Sequence, residues 1–136
     1  IASHVIEHFL DPIKSVCELV DKLFEESYVY IEVPNADYFC LGGLQNAHTY
    51  YFTPRTLAAY MSNAGLTMVY GRDFGFHYAG LFNTVSRSTS FLTSDEYQRM
   101  REVILSHEQR ERAKRFVDKF GLLNFSRRIK QFLQKK

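Results

Sequence analysis

The chain has no apolar run long enough to cross a membrane, and no stretch of it resembles a secretory signal peptide. Its two cysteines, Cys17 and Cys40, form neither a disulfide framework nor a metal-binding spacing. We therefore expect a soluble protein of a reducing, cytoplasmic compartment, without a membrane partner. With 136 residues, of which 46% are apolar, the chain is long enough to bury the core of one domain.

The chain also lacks an initiator methionine. It opens on Ile1, and residues 1–6 form a short apolar run that is typical of a strand already under way. We therefore expect the chain to be the later part of a longer protein.

Residues 28–33 are the centre of the predicted fold. Their aromatic and β-branched side chains are typical of a strand, and apolar residues on both alternation phases indicate burial on both faces, as in the middle of a parallel sheet. Pro34 removes a backbone donor and ends this strand. A first strand, a helix and this second strand predict an α/β fold, whose ligands bind beyond the carboxyl ends of the strands.

Proline marks the starts of two predicted helices, with Asp-Pro at 11–12 and Thr-Pro at 53–54. The apolar stripe of the first helix extends to Phe24, which predicts that this helix ends near residues 25–27. Gly65 stands where a left-handed cap is expected to end the second helix.

Two further strands are predicted at residues 66–70 and 81–86, joined by a glycine-punctuated connection over 71–80. Because they are close in sequence, we expect them to be antiparallel neighbours. The long loop at 35–52 is of the kind that carries function in compact domains.

Charge divides the chain. Residues 1–94 carry five Lys or Arg against nine Asp or Glu, whereas residues 95–136 carry twelve against six. This difference predicts a main part over residues 1–89 and a basic helical extension over residues 90–136.

Within that extension, Thr93 and Glu96 have the spacing of a capping box, which predicts a helix from about Ser94 to Lys119. A second, basic helix is predicted after Gly121. Interleaved glutamates favour a solvated helix or a self-association arm, and nucleic acid is not the expected partner.

Three stretches of the chain, in order, resemble one family. They are SHVIEHFLDP from Ser3, YIEVPN from Tyr30 and HTYYFTPRTLAAYMSNAGL from His48. This succession is similar to the second half of class I S-adenosylmethionine-dependent methyltransferases, and in particular to those that act on sugars and other small molecules. The resemblance covers residues 1–88.

The resemblance implies a Rossmann-like sheet with strands 4, 5, 7 and 6 in that spatial order, with the last strand antiparallel. It also implies a transferase that moves a methyl group from S-adenosylmethionine to a small molecule such as a sugar. In that family a G-x-G-x-G turn in the first half holds most of the cofactor. This sequence contains no such turn, so we expect the carboxyl-terminal half only.

The same resemblance assigns site residues. It places Ser3 and His4 beside the cofactor, and it implies that the substrate contacts are Glu7, His8, Asn35, Tyr51 and His77. His48, in the long loop, is the predicted catalytic residue, because a neutral imidazole can take a proton from a hydroxyl or from a carbon beside a carbonyl. A structural histidine bonded to backbone stays an alternative for His48. No metal is expected.

Two other functions stay open. Residues 4–8 match H-x-x-E-H, a zinc-peptidase pattern in which His4 and His8 bind metal and Glu7 activates water. That chemistry needs both histidines on one face of a helix, and no helical stripe precedes the Asp-Pro start at 11–12. The second is a non-catalytic module that forms a homo-oligomer through the open edge of its sheet or through the helical tail.

Overall fold

The computed structural model describes residues 1–84 and 94–119. These residues form an α/β fold with a mixed, open four-stranded sheet. In chain order the elements are β1 (Ala2–Ser3), α1 (Pro12–Val20), β2 (Tyr28–Pro34), α2 (Pro54–Asn63), β3 (Thr67–Asp73), β4 (His77–Asn83) and α3 (Ser94–Lys119). Short 3-10 turns lie at Ile6–His8, Ala36–Tyr38 and Leu41–Gly43.

The strands lie in the order β1-β2-β4-β3. β1 is parallel to β2, whereas β4 is antiparallel to both of its neighbours. The predicted antiparallel pairing of the last two strands is therefore confirmed. The register sets Ser3 opposite Glu32 and Pro34 opposite His77, which brings the end of β1, the end of β2 and the start of β4 to one edge of the sheet.

β2 is buried on one face and not on both. Ile31 and Val33 have exposed fractions of 1% and 0%, whereas Tyr30 and Glu32, on the opposite face, are only partly buried. The prediction of burial on both faces was therefore wrong. β2 also has a parallel neighbour on one side only, because β4 pairs with its other side in the antiparallel direction.

Most of the glycine-containing segment that was predicted to connect the last two strands belongs to the strands themselves. β3 extends to Asp73 and β4 begins at His77, so most of the predicted connection over 71–80 is sheet. Gly71 lies opposite Gly80 in the ladder. An added Cβ at Gly80 would lie 2.5 Å from Phe82 Cε2, and one at Gly71 would meet the Tyr78 hydroxyl. Aromatic rings fill the space of the missing side chains, which keeps both glycines in the sheet.

Both predicted helix starts are confirmed. The Asp11 carboxylate accepts a hydrogen bond of 3.0 Å from the Lys14 amide, and Thr53 and Thr56 form a reciprocal capping box. Gly65, with a φ of 89°, follows α2 in the left-handed conformation, as expected.

The first helix ends earlier than its sequence indicates. α1 stops at Val20, and Leu23 and Phe24 are 40% and 87% exposed. Phe24 therefore does not pack on the sheet, and the helix does not extend to residues 25–27.

The core lies on the face of the sheet that α1 and α2 cover. It is one cluster that includes Ile31 and Val33 of β2, Phe82 of β4 and Leu57 and Met61 of α2. Each of these five side chains is at most 1% exposed.

α3 covers Ser94–Lys119, as predicted. Thr93, residues 85 and 86 of the predicted last strand, and the predicted helix after Gly121 lie outside the described residues. Among the helices of residues 1–84 and 94–119, none is both long and apolar enough to span a membrane.

Candidate functional site

A cavity of about 440 Å³ opens where β1 and β2 end. Four of the five histidines of the chain line it, and they come from four separate segments. The predicted site residues found in its wall are His4, His8, Asn35, His48, Tyr51 and His77. Aromatic side chains of Tyr38, Phe39 and Phe76 complete much of its surface.

Three residues, which we call the strand cluster, lie where the ends of β1 and β2 meet the start of β4. They are His4, Glu32 and His77. His4 Nε2 is 3.0 Å from His77 Nδ1, and Glu32 Oε1 is 3.7 Å from each of these nitrogens. The His4 amide donates to the Glu32 carbonyl at 2.9 Å, which continues the pairing of β1 with β2. The backbone of His4 has a φ of 53°.

Glu32 was not predicted as a site residue. Its Oε2 accepts hydrogen bonds from the Tyr30 hydroxyl at 2.9 Å and from the Ser3 hydroxyl at 3.5 Å, so its Oε1 is left facing the histidines. The bond to Glu32 raises the pKa of Tyr30. Ser3, predicted to contact the cofactor, is exposed and lies outside the cavity wall. The feature of the sequence that could have indicated Glu32 is that it is the one acidic residue of β2 and shares a face of that strand with Tyr30.

Glu7, predicted as a substrate contact, lies beneath the cavity and not in its wall. Its side chain is 1% exposed, and its two carboxylate oxygens make no hydrogen bond within the described part of the chain. Its Oε1 lies 3.3 Å from His4 Nδ1 and 4.0 Å from His8 Nε2. The buried charge therefore faces two imidazoles that do line the cavity.

Glu7, His8 and His48 form a second group, which we call the loop cluster. The rings of His8 and His48 lie edge to face, with centroids 4.8 Å apart. His8 Nδ1 lies 2.8 Å from the Ala47 carbonyl, so this nitrogen carries a proton and donates it to that oxygen. His48 Nδ1 is buried and has no hydrogen-bond partner within residues 1–84 and 94–119.

The loop that carries His48 is closed by Tyr51. The Tyr51 hydroxyl accepts a bond of 2.9 Å from the Gln45 amide, and the ring packs edge to face on His48 at 5.7 Å between centroids. The Glu7 carbonyl accepts from the amides of Thr49 and Tyr50 at 2.8 and 3.1 Å. A few contacts therefore fix the loop.

Asn35 is 4% exposed and joins β2 to this loop. The Asn35 side-chain oxygen accepts a hydrogen bond from the backbone amide of Asp37 at 3.1 Å. The backbone amide of Asn35 donates to the Phe76 carbonyl at 2.8 Å. Its Nδ2 is buried without a partner in the described residues. Asn35, predicted as a substrate contact, therefore holds the backbone between β2 and the loop, and its Nδ2 is the polar group left without a partner in the described residues.

α3 forms hydrogen bonds and ion pairs with segments next to the cavity wall. Glu96, buried at 5% exposure, accepts from the Thr53 hydroxyl at 2.8 Å and from Arg99. These bonds, above all the one from Arg99, lower the Glu96 pKa to about 2. Arg99 also pairs with Asp37 at 2.6 Å, and its pKa is raised by Glu96 and Asp37. The charge pattern of the helix did not reveal this attachment.

The H-x-x-E-H pattern does not lie on a helix. Only a 3-10 turn at Ile6–His8 is present, and His4 lies outside it. His4 and His8 belong to different clusters, and Glu7 lies between them. The helical geometry that the zinc-peptidase pattern needs is therefore not formed.

Comparison with known proteins gives no further guide. No protein-family model matches this chain, and no curated protein or solved structure matches it significantly.

Proposed function

We propose that this chain forms the carboxyl-terminal, substrate-side half of an S-adenosylmethionine-dependent methyltransferase that acts on a small molecule such as a sugar. The observation that carries the proposal is the cavity of about 440 Å³ with His48 in its wall. It opens after the carboxyl ends of β1 and β2, where open α/β sheets bind their ligands.

The strand order supports the proposal. In the family that the sequence resembles, the last strand is antiparallel and lies between strands 5 and 6. Here β4 is antiparallel and lies between β2 and β3. Because one fold can serve many functions, the case for methyl transfer depends on the cavity and its side chains.

S-adenosylmethionine would supply an electrophilic methyl group on a sulfonium. Ser3 and His4, at the exposed end of β1, are the residues of this chain that would contact its methionine end. The sequence contains no glycine-rich turn for the rest of the cofactor. The fit within this chain is therefore limited to the end of the cofactor that lies nearest the substrate.

His48 would remove a proton from the substrate. Its imidazole lines the cavity, where a substrate hydroxyl can approach the ring. His8 and Tyr51 pack against its ring and fix its orientation. Orientation matters in methyl transfer, because the enzyme acts mainly by aligning the two reactants.

The first test is binding of S-adenosylhomocysteine, the unreactive product, followed by nuclear magnetic resonance of the amides. We expect shifts at Ser3 and His4 and along the cavity wall. The second test is transfer of a labelled methyl group to a panel of monosaccharides. His48→Ala should lower turnover by about 10²–10⁴-fold with little change in KM.

His107→Ala is the matched control, because it removes the one histidine outside the cavity wall. Shifts that are confined to α3 would argue against the function. Full turnover in His48→Ala would leave the function standing and remove His48 from the proton transfer.

A second candidate, self-association, has its own observation. Within residues 1–84 and 94–119, β1 lies at the edge of the sheet and pairs with β2 alone. Beside it is an apolar cavity of about 180 Å³ lined by β1, α1 and β2, and Ile1 in its wall is 99% exposed. An open edge with apolar side chains is a template for pairing with another chain.

Light scattering over a range of concentrations tests self-association. We expect a dimer whose fraction rises with concentration and falls in Ile1→Lys, because a charge at the edge blocks pairing. Leu10→Lys is the control, since Leu10 is 87% exposed and does not line that cavity. A monomer at every concentration would exclude this candidate.

A further inference from the structure

The strand cluster has the dimensions of a metal site. The three atoms His4 Nε2, His77 Nδ1 and Glu32 Oε1 are separated by 3.0, 3.7 and 3.7 Å. A point equidistant from them lies about 2.0 Å from each, within the range of bonds from Zn²⁺ to imidazole nitrogen and carboxylate oxygen. Around a tetrahedral Zn²⁺ with bonds of about 2.0 Å, the ligand atoms are about 3.3 Å apart, which lies between the 3.0 and 3.7 Å found here.

We propose that His4, Glu32 and His77 bind a divalent transition metal ion, with Zn²⁺ as the probe that best matches the spacing. Two histidines and one glutamate are a ligand set of zinc enzymes that keep a coordination position open. All three ligand residues are partly exposed, with side-chain exposures of 37%, 25% and 47%. An ion can therefore enter from the cavity, and its open position faces the space that a substrate would occupy.

The contacts behind the ligands support the proposal independently. The ring of His4 has Glu7 Oε1 3.3 Å from Nδ1, on the side away from the cluster. With a metal on Nε2, the remaining proton of His4 would be on Nδ1, where this carboxylate can accept it, as in the carboxylate–histidine–zinc arrangement. Glu7 is 1% exposed, and neither of its oxygens has a hydrogen-bond partner in the described chain.

Glu32 is held in a similar way. Tyr30 donates to its Oε2 at 2.9 Å, so Oε1 is the oxygen that faces both imidazoles. Without metal, the 3.0 Å contact between His4 and His77 needs a proton on one nitrogen. Zn²⁺ would replace that proton and bring all three ligands to one centre.

This inference does not depend on methyl transfer. It also differs from the H-x-x-E-H reading, because its ligands are His4, Glu32 and His77, whereas His8 takes no part. It departs from the expectation that no metal binds. That expectation came with the methyltransferase resemblance, whereas residues 4, 32 and 77 are brought together by strand pairing.

The experiment is a titration of the chain with Zn²⁺ in competition with a chromophoric chelator. We expect one ion per chain. Glu7→Gln should weaken binding by roughly 10–100-fold, the usual effect of losing an outer carboxylate. His77→Ala and Glu32→Gln should each weaken it more than that, because they remove a ligand.

His107→Ala is the matched control and should leave the affinity unchanged. Imidazole ¹⁵N shifts identify the coordinating atoms independently, and we expect Zn²⁺ at His4 Nε2 and His77 Nδ1. We expect His77→Ala to fold normally, because His77 is the first residue of β4 and its side chain is 47% exposed.

Three results would overturn the proposal. They are the absence of 1:1 binding by the unaltered chain, unchanged affinity in His77→Ala and Glu32→Gln, and nitrogen shifts at His8 and His48 in place of His4 and His77. The first two results do not bear on S-adenosylhomocysteine binding or on transfer by His48, so the two proposals fail separately.

Discussion

The two histidine clusters share one cavity but are held in different ways. The strand cluster is positioned by backbone pairing, with Ser3 opposite Glu32 and Pro34 opposite His77. The loop cluster depends on a few side-chain contacts, among them the Tyr51 hydroxyl on Gln45. Atoms on paired strands keep their separations, whereas atoms on a loop follow its local opening. Precise ligand spacing therefore suits the first cluster, and adjustment to a bound substrate suits the second.

The largest effect should come from the core of the sheet that carries the strand cluster. Phe82 is fully buried and pairs with Val29 of β2 and Met68 of β3. Phe82→Ala should lower the free energy of unfolding by about 3–5 kcal/mol, because it leaves a cavity under three strands. Urea unfolding measures the loss, and the imidazole signals of His4 and His77 should broaden before that of His48.

Phe24→Ala is the control for that substitution, since Phe24 is 87% exposed. We expect its effect on stability to stay within about 0.5 kcal/mol. Equal losses from the two variants would show that the sheet is not supported by Phe82.

A smaller effect is expected from the attachment of α3, which touches the side of the cavity nearer the loop cluster. Glu96 has a pKa lowered to about 2 from the usual 4.5, chiefly by its bond from Arg99. Its contribution to stability is therefore complete above pH 4.5 and is lost as the pH falls from 4.5 to 2. The size is up to about 3 kcal/mol.

Unfolding free energies between pH 5 and pH 2 check this dependence. Glu96→Gln should remove it, so the difference between the two proteins should shrink as the pH falls. Glu111→Gln, which removes an exposed pair with Lys114, should change the curve much less. A parallel pH dependence in Glu96→Gln and the unaltered protein would assign the loss to other carboxylates.

The smallest effect is confined to the loop cluster. Tyr51→Phe removes the acceptor of the Gln45 amide, which should cost about 1 kcal/mol and loosen the loop around His48. Hydrogen exchange of the Gln45 and His48 amides should become faster, while Zn²⁺ affinity stays unchanged. Tyr38→Phe is the control, because the Tyr38 hydroxyl makes no hydrogen bond in the described part of the chain. Weaker Zn²⁺ binding in Tyr51→Phe would mean that the clusters are not independent.

Local signals in the sequence predicted the local structure well. Asp11 and Thr53 start their helices as expected, because capping depends on residues three positions apart. His4, His48 and His77, which were predicted from the resemblance and from the rule that ligands bind beyond strand ends, all line one cavity.

Features that depend on strand register could not be predicted in this way. Glu32 joins His4 and His77 because of how β1 and β4 pair with β2, and no local pattern fixes that pairing. Gly71 and Gly80 were expected in a connection, yet neighbouring aromatic rings hold them in the sheet. Long-range packing decided each of these cases against local propensity.

The φ of 53° at His4 has a consequence for any attempt to engineer this protein. A residue with a Cβ costs about 1–2 kcal/mol in the left-handed region, and glycine does not. His4→Gly would therefore relieve the backbone while removing an imidazole from the cavity. Selection for a higher melting temperature alone would favour glycine at this position. A search for thermostable variants would therefore remove a candidate metal ligand.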